Sequence, residues 1–217
     1  MFELTAIFGG SFTLALSGAL MPGPLLTVTI SESMRHGFKV GPLLMTGHAL
    51  LEFFLVMAVI LGLGPYLKLP PVMGAIALLG GLLLIYLGVD MIRARVRLAL
   101  DHEPGEVHAT YARHPIVIGV LASLANPYWT LWWATIGLGY LLAVRGLGFP
   151  GLAAFFLGHI TADYAWYSLV SFGVSRGKTL LSDNSYRQMI RTCGLVLLCF
   201  GGWFLYSAKA YLAQGLF

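Results

Sequence analysis

The chain has 217 residues, of which 58% are hydrophobic and 10% charged, with a mean hydropathy of +0.82. Soluble domains carry roughly 25% charged residues, so this composition excludes a water-soluble globule and points to an integral membrane protein. A formal net charge of +4, confined to a few loops, is too sparse for a phosphate-tracking surface; no nucleic-acid partner is expected, and no cofactor is implied.

Six apolar stretches, roughly 4–30, 40–66, 71–92, 115–143, 150–174 and 189–213, suit a hydrocarbon core of about 30 Å, which needs about 20 helical residues. The expected fold is therefore an all-α polytopic membrane protein of six transmembrane helices. The first stretch begins at Met1-Phe2-Glu3 without the basic region of a cleaved signal peptide, and it contains Met21-Pro22-Gly23-Pro24. The second holds Gly47-His48, Glu52 and Phe53; the third holds Gly80-Gly81 and Gly88. A long polar connection follows, residues 93–114, with Asp101, Glu103, Pro104-Gly105 and Glu106; it reads as a linker between halves 1–92 and 115–217. The fourth stretch holds Asn126-Pro127 and the aromatics Tyr128, Trp129, Trp132 and Trp133. The fifth holds Gly158-His159, Asp163 and Tyr164, and the sixth holds Cys193 and Cys199, two small buried hydrophobes rather than a disulfide framework. His36, His102, His108 and His114 fall in loops and read as solvated.

Ten of the 13 lysines and arginines fall in the first, third and fifth connections, and three (Lys68, Arg145, Lys209) fall on the other side. By the positive-inside rule the odd connections are cytoplasmic and both termini face out.

The two halves echo one another. Pro22 matches Pro127 at an offset of 105 residues; Gly47, His48 and Glu52 match Gly158, His159 and Asp163 at 111; Gly81 and Gly88 match Gly194 and Gly201 at 113. Three spans per half is an odd number, so the second copy enters from the opposite face. This is an inverted-topology repeat, an architecture of secondary transporters that places a substrate site near the midplane between the copies. The prolines predict that helices 1 and 4 are broken. Breaks of this kind are tolerated where they line a cavity, which places Pro22, Gly23, Pro24, Asn126 and Pro127 there. A half-helix starting after Pro24 would turn free N–H groups toward a carboxylate, and the Asn126 amide with freed carbonyls would suit an ammonium group or cation.

His48 with Glu52, and His159 with Asp163, stand four residues apart on one helical face. An ionisable group at mid-membrane costs about 2.5–3.5 kcal/mol on insertion scales, and here the cost recurs at matching positions. Several roles fit. The carboxylates can bind a substrate amino group; one or both can carry a coupling proton, tuned by histidine; or all four side chains can ligate a divalent metal. Each pair can also simply satisfy itself, in which case the protein is a membrane scaffold without transport. Tyr128, Trp129 and Tyr164 are candidate cavity walls. No Ser–His or His-rich hydrolase motif suggests an enzyme; Ser123 and Ser168 read as backbone hydrogen-bonding residues. Glycine-rich faces permit a homodimer without demanding one.

With Met21-Pro22-Gly23-Pro24 in the first span, Gly80-Gly81 through Tyr86-Leu87-Gly88 in the third and Asn126-Pro127 in the fourth, the chain resembles the lysine-exporter (LysE/RhtB-type) family over nearly its whole length. Tyr128 stands where that family commonly has a lysine after Asn-Pro. The resemblance implies export of an amino acid or related small metabolite across the cytoplasmic membrane of a prokaryote by proton antiport. Since the wider superfamily also contains metal-ion exporters, a divalent-cation exporter using His48, Glu52, His159 and Asp163 stands as the alternative.

Overall fold

The computed structural model describes residues 2–67, 69–93, 114–178 and 182–214, and among these the ordered elements are all helical. The expected linker lies, apart from its two end residues, outside the described residues, as do Arg95, Arg97, His102, His108 and Arg113. The first apolar stretch forms two helices, α1 (Phe2–Ala19) and α2 (Pro24–His36), separated at residues 20–23. Next come α3 (Val40–Ile60), a short α4 (Gly64–Leu67) and α5 (Pro70–Arg93). The fourth stretch is broken as well, into α6 (Pro115–Leu124) and α7 (Pro127–Trp132), and it continues through a π-helical turn (Trp133–Gly137) into α8 (Leu138–Val144). Two long helices, α9 (Gly148–Gly177) and α10 (Asp183–Gln214), complete the chain.

Each break falls at a proline, a residue with no N–H to donate to the carbonyl one turn back. Pro24 and Pro127 then serve as the first residues of α2 and α7, the position where the missing donor costs nothing. The tight turn from α2 into α3 needs a positive φ at Gly37 (84°), whose N–H closes α2 on the Ser33 carbonyl at 2.9 Å.

Among the described residues five helical stretches, against the six expected, are long and apolar enough to cross a membrane, and α6 is a shorter apolar helix. Phe54, Leu79, Leu169 and Tyr206 stand exposed on their outer faces, as lipid-facing side chains do in a polytopic membrane protein. His36, expected in solvent, ends α2 with Nδ1 3.2 Å from Glu32.

Glycines set which helices touch. A β-carbon at Gly47 of α3 would collide with the Ile116 carbonyl of α6, and one at Gly119 of α6 with the Leu44 carbonyl of α3. At Gly158 of α9 it would collide with the Phe8 carbonyl of α1. A β-carbon at Gly88 would lie 2.7 Å from the Gly194 carbonyl, and one at Gly194 would lie 2.8 Å from the Gly88 carbonyl, so α5 and α10 also meet backbone to backbone. Close approach through small residues is the usual device where lipid supplies no hydrophobic drive between helices.

Gly47→Ala should therefore destabilise the protein by about 1–3 kcal/mol, the range for overpacking a tight contact. Gly9, where a β-carbon would meet nothing within 4 Å, should accept alanine without loss. Thermal unfolding in detergent, with the two variants side by side, checks the difference.

Candidate functional site

His48 and Glu52 on α3, and His159 and Asp163 on α9, converge into one cluster, none of the four more than 4% exposed. One ligand atom from each lies within 4.8 Å of all the others. Within each helix, His48 Nε2 is 3.2 Å from Glu52 Oε1 and His159 Nε2 is 3.3 Å from Asp163 Oδ2. Between the helices, His159 Nε2 is 2.9 Å from Glu52 Oε2 and His48 Nε2 is 3.7 Å from Asp163 Oδ2. The pairs are therefore not self-contained, because each imidazole faces both carboxylates.

The cluster's setting comes from the broken fourth stretch. Trp129 on α7 and Trp133, four residues on at the start of the π turn, both donate their indole N–H to Glu52 Oε1, at 2.9 and 2.8 Å. Two donors on one ionised oxygen form strong charge-assisted bonds. The π turn occupies a frequent functional position, and Gly137 closes it where a β-carbon would lie 2.6 Å from the Trp132 ring and 2.7 Å from the Trp133 ring. On α6, Ser123 Oγ donates to the Gly119 carbonyl at 2.6 Å. Its single proton is thus spent, so at 2.8 Å it accepts from His48 Nδ1–H and leaves Nε2 as the atom facing the carboxylates. His159 Nδ1 has no hydrogen-bond partner; its ring lies tilted against Trp132, with centroids 4.5 Å apart.

A cavity of about 30 Å³ opens on the cluster, about the space of one water. His48, Glu52, His159, Asp163, Asn126, Tyr128, Trp129 and Tyr167 line it. Trp129 also borders an apolar crevice of about 400 Å³, so one indole faces both the ionic cluster and apolar surroundings.

The two breaks abut. A β-carbon at Gly23 would lie 3.0 Å from Asn126 Oδ1 and 3.1 Å from the Tyr128 ring. They end differently, however. Asn126 Oδ1 caps α7 by accepting the Tyr128 N–H at 3.2 Å, so that oxygen is engaged in the fold. No side chain caps α2 at Gly23, and the first-turn N–H groups of Leu25 and Leu26 have no intrahelical acceptor. Pro22, Gly23 and Pro24 belong to the break without lining the cavity, and Pro127 begins α7. Tyr164, expected at the cavity wall, instead pairs with Thr46 Oγ1 at 2.9 Å, tying α9 to α3.

Sequence reading overlooked the part Trp133 plays and the bond from His48 to Ser123. The four-residue spacing of Trp129 and Trp133 is visible in the chain, but it does not say which helix they face.

Comparison with known proteins places the chain in a family. Residues 16–208 match the family described as LysE type translocator. A Bacillus subtilis (strain 168) protein named "Putative amino acid efflux protein YcgF" is 26% identical over 203 residues, 93% of this chain and 96% of the relative. No solved structure matches the chain. The chain is a multi-pass membrane protein of the LysE type translocator family.

Proposed function

We propose that this translocator is a secondary exporter that moves an amino acid or related small metabolite out of the cytoplasm of a prokaryote in exchange for protons. The observation that carries the reading is the convergence of His48, Glu52, His159 and Asp163 from two helices, deep in the bundle and beside two broken helices. The efflux name of the Bacillus relative supports it.

The chemistry follows from what each group offers. Carboxylates held in an apolar core need positive partners. A substrate ammonium group would be received by Glu52 or Asp163, and the other carboxylate would exchange a proton with the outside, with His48 and His159 sharing it. The substrate carboxylate would meet the first turn of α2, where Gly23 supplies no side-chain cap and the positive end of the helix dipole favours an anion. A cavity of about 30 Å³ holds no amino acid, so the arrangement is the closed stage of the cycle, and the breaks after Ala19 and Leu124 are the flexible points.

The architecture we infer is two inverted three-helix repeats, six spans in all. Residues matched by the repeat make matching contacts: Gly47 carries α3 onto α6 as Gly158 carries α9 onto α1, while Gly88 and Gly194 meet each other. With ten of 13 basic residues on the odd connections, both termini lie outside the cytoplasmic membrane.

Proteoliposomes loaded with a panel of amino acids should release at least one of them faster when the outside is acidified. Glu52→Gln with Asp163→Asn should slow that release roughly 10- to 150-fold, the loss of a charged contact worth about 1.5–3 kcal/mol. Unchanged acid-driven efflux from the double variant would reject the reading.

Orientation has its own check. With Cys193 and Cys199 replaced by alanine, an impermeant thiol reagent applied to intact cells should label Arg145→Cys and spare Lys39→Cys; the reverse pattern would invert the topology.

A further inference from the structure

We propose that the same cluster is a divalent transition-metal site, holding one Zn²⁺-type ion through His48 Nε2, His159 Nε2, one Glu52 oxygen and Asp163 Oδ2. It gives the four side chains a further cation, one that would compete there with the ammonium group and proton of the export reading, and it does not depend on that reading.

The donor spacing carries the inference. Four-coordinate zinc, with bonds of about 2.0–2.1 Å, has neighbouring ligand atoms about 3.3 Å apart. His159 Nε2 stands 2.9 Å from Glu52 Oε2 and 3.3 Å from Asp163 Oδ2, and His48 Nε2 stands 3.7 Å from Asp163 Oδ2 and 3.2 Å from the other Glu52 oxygen, Oε1; one donor atom from each of the four residues lies within 4.8 Å of the other three.

The atoms that face one another are the appropriate ones. Glu52 Oε1 takes both indole N–H groups, whereas the buried Glu52 Oε2 and Asp163 Oδ2 have imidazole nitrogens as their neighbours, His159 Nε2 at 2.9 and 3.3 Å. Ser123 holds the His48 Nδ1–H, which presents Nε2 as the ligating nitrogen; a hydrogen bond to the second ring nitrogen is the standard outer support of a metal-bound histidine. His48 Nε2 faces both carboxylates, and a metal ion bound there takes the place of a ring proton. A divalent ion balances both carboxylate charges at once. Two imidazoles with two carboxylates suit zinc or cobalt better than calcium or magnesium, which require six or more oxygens or retained waters.

The test uses the full chain purified in detergent, stripped with chelator and titrated with Co²⁺ and Zn²⁺. Co²⁺ should bind one per chain with the intense visible bands of a tetrahedral site, and Zn²⁺ should displace it. His159→Ala should abolish the bands. Ser123→Ala, which leaves all four ligands in place, should weaken binding roughly 10- to 100-fold, the usual effect of losing an outer partner. His36→Ala should leave the bands intact, since the surface pair of His36 and Glu32 is the competing explanation. Absent or weak octahedral-type bands in the wild-type protein would overturn the inference whatever the variants do, and so would tetrahedral bands that survive His159→Ala. Efflux enters none of these readouts, so failure of amino-acid export and failure of metal binding are separately visible.

Discussion

Everything near the centre of this protein answers to one constraint: Glu52, 1% exposed in an apolar bundle, must be surrounded by donors. A buried charge stripped of a partner costs about 3–5 kcal/mol, more than the pair gains over an apolar replacement. The break at Asn126-Pro127 starts α7 where Trp129 can reach the carboxylate, and the π turn at Trp133 supplies a second indole on the same oxygen. Trp129 also borders the apolar crevice, and such a ring can do so because indole has one polar N–H on an otherwise apolar body. The aromatic run of the fourth stretch is therefore the inner lining of a charged site, with the lipid-facing surface built from other residues.

The glycines bring the histidines to their partners. Gly47 lets α3 touch α6, and the next residue, His48, thereby reaches Ser123. Gly158 lets α9 touch α1, and His159 follows it in the same way. The outcomes differ. His159 Nδ1 has no hydrogen-bond partner among the described residues, and its ring is held by packing on Trp132. One imidazole is oriented by a hydrogen bond and the other by ring contact, so the two histidines are chemically unequal at their common centre.

What could be read from the chain was what is local. A four-residue spacing in a helix fixes which side chains neighbour each other, so both His–acid pairs were legible; so were the two proline breaks and the all-helical, membrane-spanning character. What crosses between helices was not. Nothing in the order of residues states that His159 meets Glu52 as closely as Asp163, that Ser123 serves His48, or that Thr46 takes the Tyr164 hydroxyl. Asn126 shows the same limit from another side. As an amide beside a break it suggested a ligand for the substrate, yet Asn before a helix is also an N-cap, and its oxygen is used that way.

The distinction between contacts within a helix and contacts across helices also bears on how the proposed exporter would open. Glycine contacts tie α3 to α6 and α9 to α1 backbone to backbone, and close-packed contacts of this kind are not gradually deformable. The meeting of α3 with α9 is tight at one end, where a β-carbon at Gly41 would collide with Ser171, while farther along the cluster itself and the Thr46–Tyr164 bond bridge it. Parting the two helices there would leave His48 with Glu52 and His159 with Asp163, since each of those pairs rides on its own helix. It would sever the Thr46–Tyr164 bond and the crossed contacts, His159 to Glu52 and His48 to Asp163. The carboxylate faces thus uncovered are the ones that need a new cation. In this scheme the closed cluster is held by the same attraction that draws a positively charged group into the open one, and a substrate ammonium or a proton substitutes for the opposite helix.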